Sequence, residues 1–221
     1  RDEATLRESL RTAVSTGDAP TVVRYPKGAL PEPLTALRRL ARGAEEPRAG
    51  KESVHEETPH VSAFDVVDVL LESRPPAGGA RILLVGVGAM ASQAYEAGRL
   101  LEQDGHAVTV VHPHWVIPAP APLVTAAADV DVVVVVEDGL VDGGIGSQLR
   151  DAVEEYQAAR SGTGVSPVFR RIGIPRRFVD TATRAQLMED FGMRAVDIAQ
   201  AACRAADGVA GARTDQDLGA E

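Results

Sequence analysis

A glycine-rich stretch in the middle of the chain has the residue types that bind a nucleotide through backbone amides. Residues Gly86–Ala91 match the dinucleotide fingerprint G-x-G-x-x-G/A, in which glycines permit a tight strand-to-helix turn beside a pyrophosphate. The fuller pattern requires an acidic residue about twenty positions later to hold a ribose hydroxyl, and His112 stands there instead. We therefore favour a turn without a ligand, with nucleotide binding as the alternative.

A second glycine cluster and an acidic pair lie further along the chain. Residues Gly143–Gly146 precede a helical pattern, so their amides either bind an anion or only allow the chain to turn, and we favour the turn. Glu137 and Asp138 end a buried strand, where open α/β sheets bind ligands. The pair could be a base, a metal ligand or a partner contact. Because no metal-spaced set accompanies it, we interpret the pair as structural.

The histidines and the single cysteine have weaker patterns. His112 and His114 alternate at a strand end and could form a site, but the sequence shows no third ligand. His55 and His60 lack the spacing of a helical metal pair, so we interpret them as solvated loop residues. Cys203 lies in an alanine-rich helical pattern and is predicted to pack in the interior. One cysteine excludes an internal disulfide and is typical of a reducing cytoplasm.

The composition excludes several classes of function. The net charge of -9 argues against sequence-independent nucleic-acid binding, which needs clustered positive charge. No apolar run is long enough for a membrane span, and no apolar targeting segment opens the chain. The sequence also contains no nucleophile elbow, P-loop or zinc spacing. Since it starts with Arg1, we expect residue 1 not to be the natural beginning of a gene product.

The elements that must position these residues alternate between strand and helix. Short apolar, β-branched runs predict strands, and apolar residues at helical spacing follow them. The strand–helix–strand unit that begins at Arg81 should be parallel and right-handed. Thr183 and Gln186 have the spacing of a capping box. Residues 62–206 are therefore predicted to form a three-layer α/β/α sandwich on a mainly parallel sheet.

The flanking segments are predicted to be different. Residues 2–16 indicate an amphipathic helix capped by Asp2, and residues 21–25 indicate a strand. One helix and one strand cannot bury a core, so residues 1–30 are interpreted as the end of another domain. Residues 31–61 are predicted to be a charged linker with one helical turn near Leu34–Leu40. Residues 207–221 are predicted to be a disordered tail.

Five stretches of the chain form a recognisable series in order and rough spacing: Pro20–Gly28, Leu84–Met90, Val108–Pro118, Glu137–Asp138 with Gly143–Gly146, and Ile172–Asp180. Together they resemble the 1-deoxy-D-xylulose-5-phosphate synthases, a transketolase-like family. The resemblance covers nearly all of residues 1–206. It implies that residues 1–30 close a pyrimidine-binding domain and that residues 62–206 form a transketolase C-terminal domain. Three positions differ from the family's usual pattern, since His112 and His114 stand where the family has an Asp and an Arg, and Gly139 stands where it commonly has an Asn.

The resemblance implies a reaction for a larger enzyme. Members of this family condense pyruvate with glyceraldehyde 3-phosphate, release carbon dioxide and make an isoprenoid precursor. They use thiamine diphosphate and Mg²⁺, which are held by their first two domains. The G-D-G…N signature of that site is absent from this sequence. We therefore expect no cofactor to bind this chain alone, and we expect a role in assembly, either as a homodimer or with the missing N-terminal domains.

The same resemblance implies one substrate contact and no catalytic residue. In the family's R-[YF]-P-[KR]-G stretch, the arginine resembles a ligand for the phosphate of the aldehyde, and the matching residue is Arg24. A guanidinium stays charged and fits phosphate geometry. Lys27 would add a second, weaker positive charge. The alternative for Arg24 is a salt bridge at a strand end.

Two other functions stay open. Within the wider family, the chain could be the distal subunit of a split transketolase or of a two-chain ketoacid dehydrogenase. In another class, it could be a free nucleotide- or anion-binding module that uses residues 86–91.

Overall fold

The computed structural model describes residues 1–26, 28–29, 31–41, 63–73, 79–160 and 166–218. Lys27, His55 and His60 lie outside these residues, as does most of the predicted linker. The described helices are α1 (Glu3–Ser15), α2 (Ala91–Gln103), α3 (Ala121–Ala128), α4 (Ile145–Ala159), α5 (Arg184–Asp190) and α6 (Ala195–Leu218). The described strands are β1 (Arg38–Leu40), β2 (Val67–Glu72), β3 (Arg81–Gly86), β4 (Ala107–Pro113), β5 (Val132–Leu140) and β6 (Val168–Ile174).

The strands form one mixed sheet in the order β1-β2-β4-β3-β5-β6. The four strands β4, β3, β5 and β6 are parallel, whereas β2 is antiparallel to β4 and β1 is antiparallel to β2. Strand β5 lies inside the parallel part, and its five consecutive valines are fully buried. A continuous apolar run of this kind is typical of a strand that is covered on both faces. The predicted mainly parallel sheet is confirmed.

Helices cover both faces of the sheet. Ile82 and Leu84 of β3 pack in one cluster with α2 and α6, and Leu83 and Val85 pack in a second cluster with α3 and α4. Neighbouring strand residues point to opposite faces, so one apolar strand contributes to both cores. The predicted three-layer architecture is confirmed.

Two predicted helix signals are present in the structure. The Thr183 side chain accepts a hydrogen bond from the backbone N–H of Gln186, and the Gln186 side chain completes the capping box. At the start of the chain, the Asp2 side chain caps α1 and accepts from the N–H of Thr5. Both caps satisfy N–H groups that have no partner inside a helix.

The predicted strand at residues 21–25 is wrong. The structure gives these residues no regular secondary structure, and Val22 and Tyr25 are exposed. A β-branched run becomes a strand only where a neighbouring strand supplies hydrogen bonds, and none in the described part of the chain lies beside it.

The predicted helical turn near Leu34–Leu40 is also wrong, since Arg38–Leu40 form β1 at the edge of the sheet. Leu40 pairs with Val67, and the Arg38 guanidinium lies 2.8 Å from the Glu72 carboxylate. The open edge of β2 offers backbone partners that a pattern of local charges does not reveal. Residues 42–62 of the predicted linker lie outside the described residues.

The structure continues α6 through residues 207–218, where the sequence predicted a disordered tail. Ala205 and Ala206 are buried, and Val209 packs against the core. Adding a residue to an existing helix costs little compared with starting one, so a packed helix extends into a polar sequence. None of the described helices combines the length and apolar character needed to cross a bilayer.

Candidate functional site

The carboxyl ends of β3 and β5 bring together several of the features predicted from the sequence. The turn at residues 86–90 follows β3, and Glu137 and Asp138 lie within the last residues of β5. The first turn of α4 returns to the same edge, because its amides contact Glu137. Ligands of open α/β sheets bind at this edge, so it is the first candidate site.

Glu137 occupies the N-terminus of α4. Its carboxylate accepts hydrogen bonds from the N–H of Ile145 at 2.9 Å and from the N–H of Gly146 at 3.1 Å. The residue is only 4% exposed. The positive end of a helix stabilises a negative charge at this position. The chain's own carboxylate therefore fills the place where the sequence predicted either an external anion or a plain turn.

The glycines beside Glu137 make room for it. A Cβ at Gly144 would collide with the carbonyl oxygen of Leu140 and would lie 2.6 Å from Glu137 Oε1. Gly143 has a φ of +76°, a backbone conformation that disfavours side chains. The space that the buried Glu137 carboxylate occupies thus explains the glycines at these positions.

The turn at residues 86–91 also has an explanation in packing. A Cβ at Gly86 would lie 2.6 Å from the Cα of Ala91, in the first turn of α2. Gly88 has a φ of +57°, and Met90 is completely buried. Glycine is needed here so that α2 can approach β3 closely, whether or not a ligand binds nearby.

Asp138 has a different role from its neighbour. It forms an ion pair with Arg184 at the start of α5, and both side chains are partly exposed. The other arm of the Arg184 guanidinium lies 3.8 Å from the sulfur of Met90. The acidic pair predicted from the sequence therefore consists of one buried helix anchor and one surface ion pair.

Arg24 reaches the same edge of the sheet from the N-terminal segment. A Cβ at Gly139 would lie 3.3 Å from Arg24 Nη1 and 3.4 Å from Glu137 Oε2. Arg24 is exposed, and within the described part of the chain its guanidinium forms no ion pair. The structure thus brings Arg24 close to Glu137 and Gly139, which are distant in sequence. It does not describe Lys27.

A second cluster lies where β2 meets β4, and the sequence revealed only two of its members. Asp68 of β2 stands directly opposite His112 of β4, and His114 Nε2 lies 2.9 Å from Asp68 Oδ2. One potential ligand atom from each of the three residues lies within 4.8 Å of the others. Asp68 was missed because it belongs to another strand. The available signal was an acidic residue inside the apolar run of residues 66–71.

Side chains from distant parts of the chain satisfy Asp68. The completely buried carboxylate accepts hydrogen bonds from Arg1 Nη1 and Arg39 Nε, both at 2.8 Å. Burial by itself would raise the pKa of Asp68. The hydrogen bond with His114 and the charges of His114, Arg1 and Arg39 outweigh that effect and lower the pKa to about 2. Asp68 is therefore ionised at neutral pH.

His112 is buried without a complete set of partners. It is 4% exposed, and its Nδ1 atom has no hydrogen-bond partner among the described residues. Burial holds the pKa of His112 well below its usual value, and the nearby His114 lowers it further. The ring is therefore neutral at physiological pH, and it carries a ring nitrogen that nothing in the described structure uses.

The comparison with known protein families agrees with the fold. Residues 73–198 match the family model described as transketolase, C-terminal domain. The chain belongs to this family. The Gly86 turn, Glu137 and Asp138 lie inside the matched segment of this transketolase C-terminal domain, whereas Arg24 and Asp68 precede it.

The chain is also similar to curated proteins named 1-deoxy-D-xylulose-5-phosphate synthase. It is 40% identical over 204 residues to that of Kocuria rhizophila and 39% identical over 201 residues to that of Rhodococcus jostii. Each match covers 90% of this chain but 26% of the relative. The chain thus spans about a quarter of the length of these relatives and corresponds to their C-terminal part. The resemblance predicted from the sequence is confirmed.

Among solved structures, the chain is similar to one described as a split gene transketolase, inactive beta4 tetramer. The TM-score is 0.52 at 27% identity, and the match covers 64% of this chain and 42% of the other. This likeness supports the transketolase C-terminal fold independently of the curated relatives.

Proposed function

We propose that this chain is the C-terminal part of a 1-deoxy-D-xylulose-5-phosphate synthase that serves assembly and is not catalytic alone. The complete enzyme would condense pyruvate with glyceraldehyde 3-phosphate and release carbon dioxide. The observation that carries this proposal is the identity of 36–40% over about 90% of this chain to relatives with that name.

We infer that the two glycine turns described above do not hold the family's cofactor, thiamine diphosphate with Mg²⁺. A diphosphate needs free backbone amides or cations, and the amides at the start of α4 already bind Glu137. In the turn at residues 86–91, the N–H groups of Val87 and Met90 already donate to the carbonyl oxygens of Val136 and Val87. We therefore assign cofactor binding to other parts of the complete enzyme and derive no reaction step on this chain.

Arg24 is the residue that we propose to contact substrate, through the phosphate of the aldehyde. Its exposed guanidinium lies beside Gly139, at the sheet edge where ligands of such folds bind. Because it forms no ion pair within the described structure, its charge is available to a phosphate. Lys27 is proposed to add a second charge on the strength of its position in the sequence alone.

Reconstitution tests the assembly role. The chain would be mixed with a second chain that carries the remaining domains of the Kocuria rhizophila enzyme, with thiamine diphosphate, Mg²⁺ and both substrates. We expect no product from either chain alone, product from the mixture, and co-elution of the two chains in size-exclusion chromatography. Product formation by this chain alone would contradict the proposal.

The substrate role of Arg24 can be tested in the reconstituted enzyme. Arg24→Ala should raise the KM for glyceraldehyde 3-phosphate about tenfold or more, since a charge-assisted hydrogen bond contributes about 1.5–3 kcal/mol. The KM for pyruvate should not change. Arg7→Ala is the matched control, because Arg7 lies in the same N-terminal segment and forms only an exposed ion pair with Glu3. An unchanged KM for the aldehyde would remove Arg24 from the site.

A second candidate, the distal subunit of a split transketolase, is favoured by the likeness to the split gene transketolase. A transketolase moves a ketol group between sugars and releases no carbon dioxide. Carbon dioxide release from pyruvate by the reconstituted enzyme therefore distinguishes the two candidates. Activity with sugar phosphates and none with pyruvate would favour the second.

A further inference from the structure

We propose that Asp68, His112 and His114 form a binding site for a divalent transition-metal ion of the Zn²⁺ type. The site lies at the antiparallel junction of β2 and β4, at the carboxyl end of β4 and two strands away from β5, which carries Glu137. It does not depend on the function proposed above.

The geometry of the two strands explains why these residues converge. His112 and His114 are two positions apart, so in extended backbone their side chains lie on the same face. Asp68 is the direct cross-strand neighbour of His112, and directly opposed residues share a face. The result is a His-x-His pair that starts in β4 and ends one residue beyond it, with a carboxylate on the neighbouring strand. This combination of imidazole and carboxylate suits borderline divalent metals.

The distances are close to those of a bound metal. The ligand atoms lie within 4.8 Å of one another, and the two imidazole rings are 5.5 Å apart between centroids. With metal–ligand bonds of about 2.1 Å, tetrahedral ligands lie roughly 3.4 Å apart. Small rotations of the side chains would therefore bring the three ligand atoms to the spacing of a tetrahedral metal site. The backbone would not have to move.

The ligand atoms also have suitable surroundings. His112 Nδ1 is buried and has no hydrogen-bond partner among the described residues, so a metal bound at this nitrogen would break no existing hydrogen bond. His114 faces Asp68 with Nε2, and its Nδ1 lies 3.9 Å from Glu8 Oε2. Metal-binding histidines commonly direct the other ring nitrogen to a carboxylate, which fixes the ring. Glu8 is placed to serve in this way.

A metal ion can displace from Asp68 the two arginines that neutralise it, because each arginine has a second carboxylate partner. Arg1 also contacts Asp2 at 2.9 Å, and Arg39 also contacts Glu8 at 3.0 Å. When a metal replaces them at Asp68, each guanidinium keeps a carboxylate. Half-exposed Arg39 and Glu8 cover the cluster, and their movement would provide the entry path. A bound metal would add a link between β2 and β4, beneath the contact that α1 makes through Glu8.

Calorimetric titration of the chain with ZnCl₂, after removal of metals with EDTA, tests the proposal. We expect one equivalent to bind with a Kd in the micromolar range or tighter. His112→Gln and His114→Gln should each weaken binding at least 100-fold. His106→Gln is the matched control, because His106 contacts Cys203 elsewhere in the fold and should leave binding unchanged.

A second readout needs no variant and so does not depend on variant folding. Trp115 is the only tryptophan and follows His114 directly. Stoichiometric Ni²⁺, which quenches indole fluorescence at short range, should quench its emission, and excess EDTA should restore it. Absence of Zn²⁺ binding at 1 mM would overturn the proposal. It would also be overturned if binding survived in both His112→Gln and His114→Gln, or if the Trp115 emission did not respond to Ni²⁺.

Discussion

Two buried carboxylates, Glu137 and Asp68, stand on different strands of the same sheet and are satisfied in different ways. Glu137 accepts hydrogen bonds from two backbone amides at the start of α4, eight and nine residues further along the chain. Asp68 accepts from the side chains of Arg1, Arg39 and His114. The first carboxylate is held by groups that the helix fixes in place. The second is held by groups that can rotate away.

This difference separates a structural anchor from an exchangeable site. Backbone amides at a helix N-terminus cannot leave without unwinding the helix, so the two hydrogen bonds that hold Glu137 are not exchanged for another ligand. Side chains can exchange partners at modest cost when each has a second one, as Arg1 and Arg39 do. The comparison therefore predicts that substitutions at Glu137 lower stability strongly, whereas the effect of a substitution at Asp68 depends on pH.

Glu137→Ala should have the largest effect on stability. It removes both charge-assisted hydrogen bonds and leaves the N–H groups of Ile145 and Gly146 buried without partners. We expect the free energy of unfolding to fall by about 3 kcal/mol, measured by urea denaturation. Glu154→Ala on the exposed face of α4 is the control and should change it by less than about 0.5 kcal/mol. A loss as small as that of the control would mean that Glu137 is not an anchor.

Gly144→Ala should have the next largest effect on the free energy of unfolding, since the new methyl group would displace the Glu137 carboxylate from the N-terminus of α4. We expect a loss of about 2–3 kcal/mol in the same assay, the upper part of the usual range of about 1–3 kcal/mol for an overpacked interior. The adjacent Gly143→Ala meets no atom within 4 Å and imposes only the cost of its φ of +76°, about 1 kcal/mol. If the two variants were equally stable, steric exclusion at Gly144 would not explain the glycine.

The contribution of Asp68 should depend on pH. The pKa of Asp68 is about 2 in the folded chain, compared with 3.8 for an aspartate without these contacts. Ionised Asp68 therefore stabilises the fold above pH 5. This stabilisation, about 2 kcal/mol, is lost as the pH falls through 4 towards 2. In EDTA, the stability difference between the unmodified chain and Asp68→Asn should narrow over that range. The corresponding stability difference for Asp18→Asn, an exposed control, should stay constant over that pH range. A constant difference for Asp68→Asn would contradict the assigned pKa.

The ion pair between Asp138 and Arg184 should contribute least. Both side chains are partly exposed, so solvent screens their attraction. A double-mutant cycle with Asp138→Asn and Arg184→Ala should give a coupling of about 0.5 kcal/mol, reduced further in 1 M NaCl. A coupling above about 2 kcal/mol would show that this surface ion pair stabilises the fold as strongly as the contacts of the buried carboxylates.

Patterns with a short range in sequence predicted much of this structure. The valine run of β5 predicted a buried parallel strand, and Thr183 with Gln186 predicted a capping box, because neighbours in the chain determine both. The predicted strand at residues 21–25 failed for the opposite reason, since a strand needs hydrogen bonds from a partner that local sequence does not identify. Strand β1 was missed because its partner, β2, lies beyond residues 42–62.

The sequence alone determined the alternation of strands and helices, the family resemblance, and the presence of glycines, acidic residues and histidines at strand ends. Only the tertiary structure decided which of these groups meet. It placed Glu137 on the amides of α4, Arg24 beside Gly139, and Asp68 opposite His112. The physical reason is that strand order and register are set by packing over the whole domain. A charge pattern along the chain therefore cannot say which buried carboxylate has a helix for a partner and which has histidines.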